Sequence, residues 1–234
     1  MNRGWVASCV IAETVGMAAS AGAARAATSL DTRMGFLVVL GGGLVEGFAL
    51  GSLQGGVLQR LVGVSARGWL LVTLLVAGVG WAVGSAPSTL GGDASAGPTP
   101  ALGLILLGAL GIGVGVGAVF GAAQAAVLRT HVQHPWRWVA VSAAAWGVAM
   151  PVIFAGASTA GASWHWARVV LYGAGTGALA GTALGVVSGV ALPEPRVRSR
   201  TIDGPLARPC RRHYRGSSVP RDTSATDDRT RNRT

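Results

Sequence analysis

Two glutamates stand inside long apolar runs of this chain. Glu13 falls near the middle of the first run and Glu46 near the middle of the second. A carboxyl at the centre of a bilayer is costly and by default marks a functional site. Two at similar depth on adjacent helices can share a proton, hold a cation or line a path. The structural alternative is a pair of protonated carboxyls, each hydrogen-bonded to a neighbouring helix as glue. Each acid has a glycine close behind it, Gly16 after Glu13 and Gly47 after Glu46. Two glutamines, Gln54 and Gln124, precede Arg60 and Arg129 by about one to two helical turns. They read either as a polar site near one membrane face or as amide clamps between helices, worth about 1 kcal/mol each. Glu13, Glu46, Gln54 and Gln124 together are the candidate intramembrane polar site.

Other residue types argue against chemistry. His131 and His134 have a metal-compatible spacing, but no cysteine or acid lies near them in sequence, so no metal site is expected. Cys9 and Cys210 fall in an apolar run and in the polar tail, and neither a disulfide nor a metal motif follows from them. The string ending in Cys9 looks like a lipoprotein cleavage box, yet no apolar stretch precedes it. No nucleophile motif occurs. Gly-x-Gly-x-x-Gly spacings abound by composition and carry no dinucleotide meaning inside a spanning helix. No catalytic residue, no cofactor and no enzymatic activity are expected.

The elements that must position these residues are six apolar runs, at 5–24, 34–58, 68–86, 101–128, 138–157 and 166–192. Each is long enough for a bilayer core of about 30 Å, which takes roughly 20 helical residues. Only 12% of the 234 residues are charged, and 37 are glycine. A soluble domain carries about 25% charged residues. Eleven of the 19 basic residues, all arginine, follow Leu192. The net charge of +10 therefore comes largely from a tail and does not indicate a nucleic-acid partner. Residues 193–234 cannot bury enough apolar surface to fold alone and read as a disordered basic cytoplasmic tail that contacts anionic lipid. Residues 1–192 read as the transmembrane helical domain.

The first run reads two ways. Arg3, an apolar stretch and Ala24 to Ala26 fit a cleaved signal peptide. Glu13 in mid-run, and the likeness to later segments, favour a retained helix.

Glycine recurs at every fourth residue in three runs. The ladders are Gly43, Gly47, Gly51, Gly55; Gly113, Gly117, Gly121; and Gly173, Gly177, Gly181, Gly185, Gly189. Small residues at this spacing let two membrane helices approach closely. Gly47, Gly51, Gly117, Gly121, Gly177, Gly181 and Gly185 are the expected packing positions. A ladder of period four drifts by about 40° per step around a helix. Either the helices cross right-handedly or each ladder serves two neighbours. Three ladders on alternate helices suggest a tight inner bundle with the other three helices around it.

Those other helices each begin with a tryptophan, Trp5, Trp69 or Trp138, and each precedes a ladder helix. Gly47-x3-Gly51-x2-Gln54-x2-Val57-Leu58 matches Gly117-x3-Gly121-x2-Gln124-x2-Val127-Leu128 at an offset of 70 residues. The sixth run has Gly177-x3-Gly181, with Leu184 where the glutamine would be. The expected fold is all-α: a polytopic helical membrane protein of about six transmembrane helices, as three hairpins with glycine-zipper packing.

Arginines in the second and fourth connections and in the tail, against Asp93 alone in the third, place both termini on the cytoplasmic side. Arg25, Arg33 and Arg168 run mildly against this. Trp5, Trp69, Trp136 and Trp138 are expected in the inner interfacial belt, Trp81, Trp164 and Trp166 in the outer one, and Trp146 near the middle.

The Trp-led helix with Glu13-x2-Gly16, followed by Glu46, Gly47, Gly51 and Gln54 and then Gly117, Gly121, Gln124, Leu128 and Arg129, resembles a loose group of uncharacterised bacterial multispanning membrane proteins. The two copies part at the end of the motif, where Gln59 separates Leu58 from Arg60. The resemblance implies membrane location and no known activity. The expected role is a structural, interaction or scaffold protein of the cytoplasmic (inner) membrane. Its expected partners are the lipid bilayer and a second copy or another membrane protein. The alternative is a small-solute or ion permease using Glu13 and Glu46.

Overall fold

A computed structural model of the protein describes residues 2–90, 100–161 and 163–192. The tail 193–234, with Cys210, and Asp93 of the third connection lie outside the described residues. Six helices follow one another: α1 (Arg3–Ala27), α2 (Thr32–Val62), α3 (Ala66–Leu90), α4 (Leu102–Leu128), α5 (Arg137–Thr159) and α6 (Trp166–Gly189). All six are long and apolar enough to cross a membrane. Among the described residues the fold is all-α, and its apolar helices make the chain a multi-pass membrane protein. At 31 residues, α2 is about 46 Å long. It exceeds the hydrocarbon thickness and must tilt or protrude.

Local chemistry sets the helix ends. The Asn2 side chain accepts from the Trp5 amide at 3.1 Å and starts α1. The Asp31 carboxylate accepts from the amides of Arg33 and Met34 at 3.0 and 3.2 Å and starts α2. Gly63 ends α2 in the left-handed region, φ 73°, and its amide bonds the Gln59 carbonyl at 3.0 Å.

The helices form a ring. Each packs against its neighbours in the chain, and α6 packs back against α1. The approach of α3 to α4 is the slightest of the six. Among the described residues no two ladder helices approach backbone to backbone, so the ladders do not pack on one another as the inner bundle required. Each ladder faces a Trp-led helix instead.

The hairpin neighbours α1 and α2, and α5 and α6, do pack, but the ladders use another face. On α2, Gly43, Gly47, Gly51 and Gly55 face Trp81, Ala77, Leu70 and Ala66 of α3. On α4, Gly113, Gly117 and Gly121 face Trp146, Ser142 and Val139 of α5. On α6, Gly173, Gly177, Gly181 and Gly185 face Ala21, Glu13, Cys9 and Val6 of α1. A ladder thus packs on the Trp-led helix that follows it, and for α6 that helix is α1. One partner follows each ladder along its length.

These contacts define a threefold correspondence. A Cβ at Gly51, Gly121 or Gly185 would stand 2.9, 2.7 or 3.0 Å from the Cα of Leu70, Val139 or Val6. Each of those residues directly follows the leading tryptophan of its helix. Backbone meets backbone there with no room for a methyl group. In this register Ser188 occupies the place of Gln54 and Gln124. The sequence alignment that put Leu184 there was one turn out of step. Leu184 instead matches Leu50 and Phe120, each the residue before the shared glycine.

The outer surface is apolar. Leu71, Leu75, Leu107, Leu171 and Leu179 all point outward and are mostly exposed. The buried set includes Glu13, Glu46, Gln54, Thr73, Gln124, Ser142 and Ser188. An apolar exterior of this extent has no place on a water-soluble monomer and suits lipid.

Candidate functional site

Polar side chains gather at two levels in the ring. The first lies at the end where the Trp-led helices begin. Trp5 and Trp69 are fully buried and Trp138 is 4% exposed. The Trp5 and Trp138 rings meet edge-on at 5.7 Å, and those of Trp69 and Trp138 at 6.1 Å. This overturns the interfacial-belt reading of these three residues. They pack in the core, one from each Trp-led helix. Trp136 and Trp166 are exposed. Trp146 is buried and stacks on Phe120 at 5.4 Å.

Each ladder helix sends one polar side chain to this level. Gln124 bridges two helices: its Oε1 accepts from Trp138 Nε1 at 2.8 Å, and its Nε2 donates to Thr73 Oγ1 at 3.1 Å. Ser188 accepts from Trp5 Nε1 at 2.8 Å and donates to the Leu184 carbonyl at 2.5 Å. Gln54 donates to Cys9 Sγ at 3.4 Å. Cys9, Thr73 and Ser142 each stand four residues beyond a leading tryptophan. The repeated link therefore runs from a ladder helix to the Trp-led helices on either side. It is complete at Gln124 and half-made at Gln54 and Ser188. Trp69 Nε1 is buried without a hydrogen-bond partner.

A cavity of about 20 Å³ lies among these residues. Its lining includes Trp5, Gln54, Thr73, Gln124, Trp138 and Ser188. It has room for about one water, since a water needs roughly 10–15 Å³ by this measure and two or more polar partners.

The second level is deeper. Eight residues separate Trp5 from Glu13, about 12 Å along a helix. Glu13 is fully buried on α1, where α6 packs, and neither carboxyl oxygen has a hydrogen-bond partner. Glu46 on α2 is 6% exposed, and its Oε2 accepts from Trp81 Nε1 of α3 at 3.2 Å. Glu46 packs against Gly16 of α1, one helical turn beyond Glu13. The glue reading required each acid to be hydrogen-bonded to a neighbouring helix. Glu46 meets that condition and Glu13 does not.

Sequence-expected residues therefore fall into two separate sets. Gln54 and Gln124 belong to the tryptophan level and the glutamates to the deeper one. Sequence reasoning missed the buried tryptophans and Ser188. The signal for them is the repeated spacing Trp5-x3-Cys9, Trp69-x3-Thr73 and Trp138-x3-Ser142. His131 lies in the α4–α5 connection, where its Nδ1 pairs with the Thr130 hydroxyl at 2.9 Å. At the opposite end of the helices, Arg168 stacks over the Trp164 ring at 3.9 Å.

No protein-family model, curated protein or solved structure matches this chain.

Proposed function

We propose that this protein acts by association within the membrane, as a structural or scaffold subunit without enzymatic activity. The supporting observation is the contrast between its interior and its surface. The cavity at the tryptophan level has room for about one water. The outside of α3 and α4 carries glycines with open space beyond them, Gly80 and Gly84 on α3 and Gly108, Gly111 and Gly115 on α4. Glycines four apart on a lipid-facing surface allow another helix to approach closely. The other occupant is a second copy or a different membrane protein.

The basic connections support placement in the cytoplasmic membrane with both termini inside. The basic residues after Leu192 would meet anionic headgroups there. Kinship with the bacterial multispanning group rests on the repeated glycine–glutamine segment. Native mass spectrometry from mild detergent tests the scaffold reading. The expected spectrum shows a defined oligomer or a co-purifying membrane protein. A bare monomer under every mild condition removes the reading.

Glu13 favours a second reading, a small-solute or ion permease. A buried carboxyl without a partner is the kind of group that transport uses. Proteoliposomes separate the two. The scaffold reading expects wild-type protein to pass no more protons or cations than empty vesicles. Flux that a Glu13→Gln, Glu46→Gln double variant removes establishes the permease.

A further inference from the structure

We propose that Glu13 and Glu46 form a proton-binding site within the membrane, with Glu13 as the member that holds the proton. The site is independent of the scaffold reading, since binding a proton requires neither a partner protein nor transport.

The first observation is the state of Glu13. Its side chain is fully buried, and both carboxyl oxygens lack any donor. A carboxylate in hydrocarbon with neither donor nor counter-ion is not sustainable, so the group must be neutralised. The second observation is that space has been cleared for both acids. A Cβ at Gly16 would stand 2.5 Å from Glu46 Cγ and 2.9 Å from Glu46 Cα. A Cβ at Gly181 would stand 2.9 Å from Glu13 Cβ. The glycine behind Glu13 thus serves the acid on the opposite helix, and a ladder glycine of α6 serves Glu13. The third observation is Trp81, whose indole N–H fixes one oxygen of Glu46.

The surrounding groups select a proton over a metal cation. A metal ion needs a shell of several oxygens. The face of α6 at Glu13 contributes Gly177 and Gly181. From α2 comes Glu46, already engaged by a donor. One turn away on α1 is Cys9, whose thiol takes the Gln54 amide. Arg168 and Tyr172 of α6 are grouped instead with Trp164, at the start of that helix. The titratable groups facing Glu13 are therefore Glu46 and the Cys9 thiol, and no cation faces it among the described residues. The binding step is carboxylate plus proton giving carboxylic acid, with no other reactant.

Infrared spectroscopy of the full chain in lipid, labelled with ¹³C-glutamate, reads the site directly. The chain has three glutamates, Glu13, Glu46 and Glu194. A Glu194→Gln background leaves only the intramembrane pair. At neutral pH the expected spectrum contains a ¹³C-shifted carboxylic-acid carbonyl band. The band is expected to vanish in Glu13→Gln, to persist at a shifted frequency in Glu46→Gln, and to be unaffected by sodium chloride. Should Glu13→Gln not fold, the labelled parent alone still decides whether an acid band exists. A parent showing only ionised glutamate overturns the proposal. So does a band unchanged by Glu13→Gln, or one that sodium abolishes.

Discussion

Gly177→Leu is expected to abolish the folded ring. A Cβ at Gly177 overlaps the carbonyl oxygen of Glu13 and stands 2.7 Å from its carbonyl carbon and 2.8 Å from Met17 Cβ. The obstacle is the backbone of α1, which cannot rotate away as a side chain would. Nor can α1 retreat. On its other side Gly42 of α2 sits against it, with a virtual Cβ 2.9 Å from Ala23 Cβ and 3.0 Å from Ser20 Cα. Overpacking a core usually costs about 1–3 kcal/mol, and more where backbone must shift. A leucine adds three further carbons beyond that first collision. The contact it breaks is the one that closes the ring, between the last helix and the first. Gly175→Leu on the same helix is the control, because nothing lies within 4 Å of its Cβ. Size-exclusion chromatography and thermal unfolding in detergent check the pair. Gly177→Leu should lose the monodisperse peak and Gly175→Leu should keep it. Equal behaviour of the two variants would show that α6 does not pack on α1 through its glycines.

The same contrast explains which parts of the fold were legible. The six runs and the need for close approach at the ladders follow from local pattern, since each is a property of one helix. The partner of each ladder does not. A glycine stripe marks a face of its own helix and carries no information about what lies opposite. Closure of α6 on α1 joins residues more than 160 positions apart, such as Gly177 with Glu13. Three ladders on alternate helices looked like a common interior for that reason. The tryptophans failed differently. A tryptophan at the start of a membrane helix suits an interface belt and a core equally well. The decisive feature for Trp5, Trp69 and Trp138 is the small polar residue four positions on, which lies one turn away on the same face. Ser188 was missed because a ladder of identical glycines fixes alignment only to within one turn. The candidate glutamates were legible from their cost alone, but their separation from the glutamines is a matter of depth. That depth comes from the register of α1 against α6 and of α2 against α3.

Gln124→Leu should destabilise the ring far more than Gln54→Leu, although the two glutamines occupy matching places in the repeat. Gln124 satisfies two buried groups at once, the Trp138 indole and the Thr73 hydroxyl. Leucine leaves the indole N–H orphaned in a site that is 4% exposed. An unpaired buried donor costs about 1–3 kcal/mol. Thr73 loses less, because a helical threonine can turn its hydroxyl to the carbonyl four residues back. The expected loss for Gln124→Leu is therefore about 2 kcal/mol, near the upper end for membrane hydrogen bonds. Gln54 has only a cysteine sulfur at 3.4 Å as partner. The Trp69 N–H, which matches the Trp138 N–H in the repeat, is already unpaired in the native protein. Gln54→Leu removes one weak bond and creates no new orphaned indole, so the change should stay within about 0.5 kcal/mol. Reversible unfolding in mixed detergent, followed by tryptophan fluorescence, measures both. A Trp138→Phe change supplies the internal check, since it removes the orphaned donor. The double variant Gln124→Leu, Trp138→Phe should be less destabilised than the sum of its two singles. Strict additivity, or equal losses at positions 54 and 124, would mean that the Gln124 bridge does not hold the tryptophan level together.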